Sequence, residues 1–227
     1  IIENEKWWKM RHWDVVGHND KNRPEPTSAW LFNSIANKHA DAMDNYPEPS
    51  VLPRALDDYE AAKQLTSILP VVLEQNNYEK TYSDTWWYKL KQGTGVKGVF
   101  WNQSKLGGLG DVEIKEIDIL NLFWKPGIDD IQESPNFFNV EIVDNEVLKS
   151  QYPDLKLGAT PDATVKTYVH DDAVDTSNTS MVVDWYYKSN IDGKDILHYC
   201  KYCNGQVLYA SENEEEYAER GYYDHGK

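Results

Sequence analysis

Three residues whose side chains bind metals or transfer protons lie close together in the stretch "NKHADAMDNYPEP": His39, Asp41 and Asp44. Imidazole and carboxylate groups serve as metal ligands and as general acids or bases, so their arrangement decides whether this stretch is a site. Residues 28–45 carry apolar side chains at spacings of three and four, which predicts an amphipathic helix. At about 100° per residue, Asp41 points about 200° away from His39. We therefore expect a core or interface histidine beside solvated aspartates, with a ligand role for His39 as the alternative.

The only two cysteines, Cys200 and Cys203, are separated by two residues in "HYCKYCNG". A C-x-x-C pair followed by x-Gly has the form of a zinc knuckle, but it supplies two of the four ligands that zinc requires. His198, His170 and His225 are candidate further ligands, although their spacing matches no standard zinc site. We favour two reduced thiols on a β-hairpin; a zinc site completed here or by another chain, and a disulfide, are the alternatives.

The other candidate motifs indicate a protein without enzymatic activity. Asp129 and Asp130 are adjacent, so their carboxylates face apart in a helix or a strand, and a turn or a helix start explains them better. The run "GLGD" lacks the Lys-Ser/Thr of a phosphate loop, and "GTGVKG" lacks the strand that precedes a dinucleotide fingerprint. The serine hydrolase pattern G-x-S-x-G and the zinc pattern H-E-x-x-H are both missing. We assign no catalytic residue, and zinc is the one cofactor considered.

The nine tryptophans include two adjacent pairs, Trp7-Trp8 and Trp86-Trp87. Neighbouring side chains on a helix point about 100° apart, so neither pair can be buried along one narrow stripe. We expect the second ring of each pair to pack within the domain or against another subunit, because aromatic residues are enriched at interface centres. Stacking on a sugar ring is the alternative.

Composition narrows the class of protein further. The net charge of −15 over 227 residues argues against a protein that binds nucleic acid phosphates directly. The charge is still compatible with an acidic surface that DNA passes without binding. No apolar run approaches the roughly 20 residues that span a bilayer, and no signal peptide opens the chain, so we expect a soluble, intracellular protein without a membrane partner. The chain begins with Ile1 and not Met, and we expect it to be a piece of a longer protein.

The first 95 residues are predicted to be mainly helical. The opening run to Trp13 suits a short amphipathic helix, and Thr27 or Ser28 is the expected N-cap of the helix over 28–45. Residues 57–77 predict a third helix that Pro70 kinks or splits. Residues 79–91 predict a fourth, which the glycines of "QGTG" end in a left-handed C-cap.

After Gly95 the sequence predicts short strands, rich in β-branched and aromatic residues and separated by glycine and proline. An Asp144-capped short helix follows "NFFNVEIV". Asn204-Gly205 between two strand-like runs predicts a type I′ hairpin turn, and a three-stranded antiparallel meander is expected near residues 181–211. The polar residues 158–180 predict a long loop or excursion between the two β regions. We therefore predict an α+β fold with a helical part over 1–95 and a mainly β part over 96–227, forming one compact domain.

Several long runs resemble phage portal proteins found in prophages of Gram-positive bacteria. The resemblance extends from Trp7 to about Ser211 and is weakest over residues 156–180. It is carried by "KHADAMDNYPEPSVLPR", "AAKQLTSILPVVLEQNNYEKTYSDTWWYKLKQGTGVKGVFWN", "GLGDVEIKEIDILNLFWKPGIDDIQES" and "HYCKYCNGQVLYASE".

The resemblance implies a structural virion protein with no catalytic residues of its own. Portal subunits form a ring, usually of twelve, at one capsid vertex, through which double-stranded DNA is packaged and later ejected. The implied partners are other portal subunits, the terminase large subunit, and capsid and head–tail connector proteins. The implied location is the virion, with the host cytoplasm during assembly. The α+β pattern is similar to the N-terminal wing region of that family, so we expect a wing fragment that ends before the stem.

Two other functions remain open from the residues. A metal-dependent phage hydrolase or nuclease would use His39, Asp41 and nearby carboxylates, and it requires the helix over 28–45 to be broken. A tryptophan-rich module for host-wall sugars requires exposed, coplanar rings, so the exposure of Trp86 and Trp87 distinguishes it.

Overall fold

A computed structural model of the chain describes residues 1–17, 22, 24–157, 177–191 and 193–223. Residues 158–176 of the predicted long loop lie outside the part of the chain that the structure describes. Contacts between Cα atoms divide the chain into two compact units, Ile1–Ile119 and Leu120–Lys227. The described part of the first unit contains five α-helices and a two-stranded sheet, and that of the second contains one α-helix and a five-stranded sheet. The predicted α+β class, with helices first and antiparallel strands after them, is confirmed.

The helices of the first unit follow the predicted pattern with differences at their ends. The predicted opening helix is two short helices, because Met10 adopts a positive φ of 59° between them. The helix over 28–45 is confirmed, but the expected cap at Thr27 or Ser28 is wrong: the N-cap is Ala29, and no side chain caps it. Their bounds are α1 Ile2–Trp8, α2 His12–Val16, α3 Trp30–Asp44, α4 Tyr59–Gln75 and α5 Tyr78–Gln92.

Helix α4 continues through Pro70 and is not split. Asn77, at a φ of 49°, separates α4 from α5. Helix α5 ends at Gly93 in the left-handed conformation, φ 83°, as the glycines of "QGTG" predicted.

An antiparallel hairpin completes the first unit. Strand β1 (Val96–Asn102) pairs with β2 (Asp111–Ile117) along its whole length. Lys105, in the connection, places its Nζ 3.0 Å from the Val112 carbonyl oxygen and 3.1 Å from Asn76 Oδ1. The same Asn76 oxygen accepts the Ile114 amide of β2 at 3.2 Å. Since Asn76 follows α4 directly, these bonds fix the hairpin to the turn between α4 and α5.

The second unit is built on an antiparallel sheet with strand order β3-β4-β5-β6-β7. The strands are β3 Leu122–Trp124, β4 Asn136–Asp144, β5 Thr179–Ile191, β6 Lys194–Cys203 and β7 Gln206–Ala210, and helix α6 spans Asn145–Gln151. The Asp144 cap of α6 is confirmed, because its carboxylate accepts the Glu146 amide at 2.7 Å. The last three strands form an antiparallel meander. Asn204 and Gly205 both have positive φ in the turn between β6 and β7, as a type I′ turn requires.

One face of this sheet carries the core and a row of aromatic rings. Near α6, Leu148, Leu155, Val182 and Cys203 form a buried cluster. Further along the strands, Tyr186 and Tyr199 lie opposite each other, with ring centroids 5.0 Å apart.

Residues 211–223, here called the closing segment, pack against this row. The Tyr222 amide donates to the Leu197 carbonyl at 2.7 Å, and the Tyr222 ring lies 5.1 Å from that of Tyr199. The acidic run "SENEEEYAER" contains good helix formers, but it forms a short 3-10 helix at Ser211–Asn213 followed by turns. Its glutamates face solvent, since Glu212, Glu214, Glu215 and Glu216 are exposed.

Candidate interaction surfaces

His39 is a packing residue of the first unit. Its ring stacks on Trp87 of α5, with centroids 3.9 Å apart and planes 13° from parallel. Its Nε2 lies 3.0 Å from Ser83 Oγ and 3.2 Å from the Ser83 carbonyl oxygen. Asp41 and Asp44 are exposed on other faces of α3, as expected. The intact helix therefore does not bring these three groups together.

The two tryptophan pairs pack within the first unit. Trp8 lies between Phe32, stacked at 4.5 Å, and Trp87, tilted at 5.1 Å. Trp7 lies 4.9 Å from the His12 ring.

The rings of the second pair also have partners. Trp86 makes an edge contact with Tyr82 at 6.1 Å, and the Lys89 ammonium lies 4.0 Å from the Trp86 centroid. Both rings of this pair are half-buried. Trp86 and Trp87 therefore do not form an exposed, coplanar platform for a sugar.

The two cysteines are free and buried, and the sheet separates them. Side chains three positions apart on a strand point to opposite faces. Accordingly, Cys203 belongs to the core cluster beside Leu148 and Val182 on one face. Cys200 lies opposite Trp185 of the neighbouring strand β5, and its side chain points to the other face. Burial raises the pKa of both thiols, which disfavours the thiolate that zinc binds.

The geometry therefore does not support a zinc knuckle at Cys200 and Cys203. His198 is buried, with its Nδ1 3.2 Å from Ser211 Oγ. His170 and His225, the other candidate ligands, lie outside the described residues. Within the described ranges, no group of three histidine, cysteine or acidic side chains is placed to hold a metal ion.

Asp129 and Asp130 are exposed and lie in a bend at a helix start, the second of the two explanations expected. Asp130 is the N-cap of a 3-10 helix, and its carboxylate accepts the Gln132 amide at 2.9 Å. The carboxylate pair is therefore explained by local structure.

A buried ion pair joins α1 to α5 and was not predicted from the sequence. Lys91 Nζ lies 2.9 Å from Glu5 Oε2, with side-chain exposures of 8% and 3%. The Asn4 amide nitrogen donates to the Lys91 carbonyl at 3.0 Å. Glu5 lies in a charged run that is typical of a solvated helix, so only its contact with a residue 86 positions away shows its role.

A second unpredicted network lies on the aromatic face of the second unit. The Tyr199 hydroxyl donates to Asp184 Oδ1 at 2.7 Å, and Lys201 Nζ lies 3.3 Å from the same oxygen. Burial raises the pKa of Tyr199 far above its ordinary value, and the bond to Asp184 adds to this. Burial likewise raises the pKa of Tyr186. These phenols stay neutral at physiological pH, so the network is suited to packing and not to proton transfer.

The first unit exposes large apolar side chains along one stripe of α4 and on the hairpin. On α4, Leu65, Ile68 and Val71 recur every three residues and are each about half exposed. On the hairpin, Val99, Trp101 and Leu109 are more than 60% exposed. Exposed apolar surface rimmed by polar residues marks sites of protein interaction.

A groove of about 560 Å³ lies between the loop after α3, helix α4 and the start of α5. The residues that line it include Tyr46, Tyr78 and Leu73, together with three glutamates, Glu48, Glu74 and Glu79. All three glutamates are exposed. The groove therefore combines an aromatic and apolar wall with negative charge.

No protein-family model matches the chain, and a search of curated proteins found no match to it. Across the part of the chain that the structure describes, no helix has the length and hydrophobicity needed to cross a bilayer.

Proposed function

We propose that this chain is a structural subunit of a phage portal ring and forms part of the conduit through which double-stranded DNA is packaged and ejected. The resemblance over residues 7–211 carries the proposal. In this role the chain acts through shape and contacts with other proteins, and no residue is assigned to catalysis. Its partners are other copies of the subunit, the terminase large subunit, and capsid and connector proteins.

Three features of the chain support a role in assembly. The α+β order has helices before antiparallel strands, as expected for a portal wing region. The exposed apolar stripe of α4 and the apolar hairpin offer surface for protein contacts. The charge of −15 suits a protein near DNA that must not bind it, because like charges repel the phosphates.

Purified virions of the phage that encodes this chain provide the direct test. We expect mass spectrometry to detect its peptides in virions, and antibodies against it to label a single capsid vertex in electron micrographs. Deleting its gene should give heads without DNA, and supplying the gene in trans should restore packaging. Virions that package DNA and lack the chain would disprove the proposal.

The metal-dependent nuclease or hydrolase remains the alternative from another class. It is favoured by no arrangement of the described residues, because His39 packs on Trp87 while Asp41 faces solvent. Incubation of the chain with double-stranded DNA and Mg²⁺ or Mn²⁺ tests it. Cleavage that the change His39→Ala abolishes would favour the nuclease over the portal subunit.

A further inference from the structure

The groove between the loop after α3, helix α4 and helix α5 has the chemistry of a site for a positively charged side chain. Three glutamates line it, and its described lining includes neither lysine nor arginine. The aromatic walls matter as much as the charge, because the face of a tyrosine ring attracts cations. A cationic group in this groove would meet both kinds of attraction at once.

The first unit already binds a cation on the same aromatic cluster. Lys97 Nζ lies 4.6 Å from the Tyr78 ring centroid and 4.7 Å from that of Tyr82, and it donates to the Tyr78 hydroxyl at 2.8 Å. Tyr46 packs edge-on against both rings, at 6.2 and 5.1 Å. The Lys97 ammonium therefore lies on the ring of Tyr78, a residue of the groove lining, whereas that described lining itself carries three glutamates and no basic side chain.

Tyr46 keeps its phenol neutral in this position. Burial raises the pKa of its phenol above the ordinary value, and the neighbouring Tyr78 and Glu79 add to the shift. The phenolate form is thus unfavourable at this position, so Tyr46 lines the groove as a neutral residue.

The shape of the groove selects among cations. A guanidinium group is planar, stacks on aromatic rings and binds carboxylates through two parallel hydrogen bonds, whereas an ammonium is a compact and strongly hydrated charge. Leu73 offers an apolar wall for the aliphatic stem of an arginine. The volume of about 560 Å³ exceeds that of one side chain and accommodates flanking peptide backbone.

We propose that this groove docks an arginine side chain presented by a basic peptide segment of a partner protein. The inference rests on the groove alone and stands whether or not the chain is a portal subunit. Tyr46 and Tyr78 would hold the guanidinium plane, and Glu74 and Glu79 would pair with its charge.

Peptide titrations followed by NMR test the proposal on the whole 227-residue chain. The probe is the acetylated and amidated tripeptide Gly-Arg-Gly, and the matched control replaces arginine by citrulline, which has the same shape and no charge. We expect saturable shifts of the amide signals of Tyr46, Asn77 and Tyr78 with the arginine peptide only. Equal binding of the citrulline peptide, or no saturable shift at these residues, would overturn the proposal.

Two variants separate the groove from general acidity. Glu74→Gln should weaken binding of the arginine peptide about threefold, because loss of one exposed charge pair has an effect of this size. Added salt should remove the difference in affinity between this variant and the unchanged chain. Glu60→Gln removes a charge from the same helix α4 outside the groove lining, and binding should not change. Equal weakening by both variants would show a diffuse charge effect and contradict a built site. If spermidine binds more tightly than the arginine peptide, the groove is a site for small cations and the proposal of peptide docking is wrong.

Discussion

The Glu5–Lys91 pair holds the first helix of the chain against α5. Both side chains are nearly buried, and Lys91 Nζ also lies 5.8 Å from the Trp8 ring centroid. An ion in a low-dielectric interior is stable only beside its partner, so each member of the pair depends on the other. The pair is therefore expected to matter much more than any surface ion pair of this protein.

Removal of one buried partner should destabilise the first unit. Glu5→Gln leaves the Lys91 charge without its counter-ion, and we expect a loss of about 3 kcal/mol in the free energy of unfolding. Urea denaturation followed by circular dichroism measures it, because this signal reports the helices of the first unit and the strands of the second.

An exposed ion pair supplies the control for this experiment. Arg220 and Glu216 are bonded at 2.6 Å on the surface, with side-chain exposures of 52% and 64%. Glu216→Gln should change the stability by less than about 1 kcal/mol, as is usual for exposed pairs. A loss for Glu5→Gln no larger than that for Glu216→Gln would contradict the importance of the buried pair.

The two thiols should react slowly in the folded protein. Burial raises the pKa of Cys200 and Cys203, and the thiolate is the reactive form. We expect labelling by a thiol-specific disulfide reagent at neutral pH to be at least about tenfold slower than in urea-unfolded protein. Equal rates for the folded and unfolded chain would show that neither cysteine is buried in solution.

The surroundings of single residues were predictable from the sequence where local periodicity determines them. His39 was placed correctly on the packed face of α3, because a helical stripe follows from spacing alone. Glu5 and Asp184 were missed, because each is buried by partners that are distant in the sequence. Acidic residues are mostly exposed, so neither position carries a local signal of burial.

At the scale of elements, the sheet face that carries Tyr186 and Tyr199 makes the stability of the second unit depend on pH. Burial raises the pKa of Tyr186 and Tyr199 well above 10, the ordinary value that applies in the unfolded chain. Above pH 10 the unfolded state therefore loses protons that the folded state keeps. The stabilisation is complete below pH 10 and decreases as the pH rises from 10 towards the folded-state pKa values.

We expect the second unit to lose stability steeply above pH 10. The ultraviolet absorbance of tyrosinate, recorded at rising pH, should show Tyr186 and Tyr199 ionising only as the sheet unfolds. Tyr199→Phe should reduce the slope of stability against pH, because one group with a raised pKa is removed. Free titration of all fifteen tyrosines near pH 10, without unfolding, would contradict the burial of this face.

Element types were predictable from the sequence, and several element ends were not. The type I′ turn at Asn204-Gly205 and the Asp144 cap follow from short-range chemistry and are confirmed. The break at Met10 was missed, because a left-handed residue other than glycine or asparagine has no strong sequence signal. The acidic run after Ser211 has good helix formers, but the closing segment packs on the sheet as a short 3-10 helix followed by turns, without an α-helix in its described residues.

At the scale of the whole molecule, charge is distributed unevenly along the chain. Residues 1–119 contain 14 basic and 18 acidic side chains, so the net charge of the first unit is −4. Residues 120–227 contain 9 basic and 20 acidic side chains, which leaves −11. The unit with the exposed apolar helix and hairpin is thus the less charged of the two.

We expect the isolated chain to be monomeric at low salt. A net charge of −15 opposes self-association unless complementary positive surface is present. Sedimentation velocity should give a mass near 26.3 kDa, with weak association only when salt screens the charge. A stable ring or other large assembly at low salt would contradict this expectation.

The change from helices to strands does not coincide with the division into compact units. Strands begin at Val96, but the first unit extends to Ile119, because the hairpin is bonded to Asn76 beside α5. A change of composition marks where the secondary structure changes. The edge of a compact unit depends on long-range packing, which spacing and propensity do not encode.

Gly221 determines how closely the closing segment approaches the sheet. A Cβ atom there would lie 3.0 Å from the Leu197 carbonyl oxygen and 3.2 Å from the Leu197 nitrogen, and its φ is 84°. An alanine would therefore act as a wedge that lifts Tyr222 and Tyr223 from the strands beneath. The tyrosine rings on this face of the sheet would then become exposed to solvent. We expect such a variant to bind a hydrophobic dye and to be cleaved more readily by proteases.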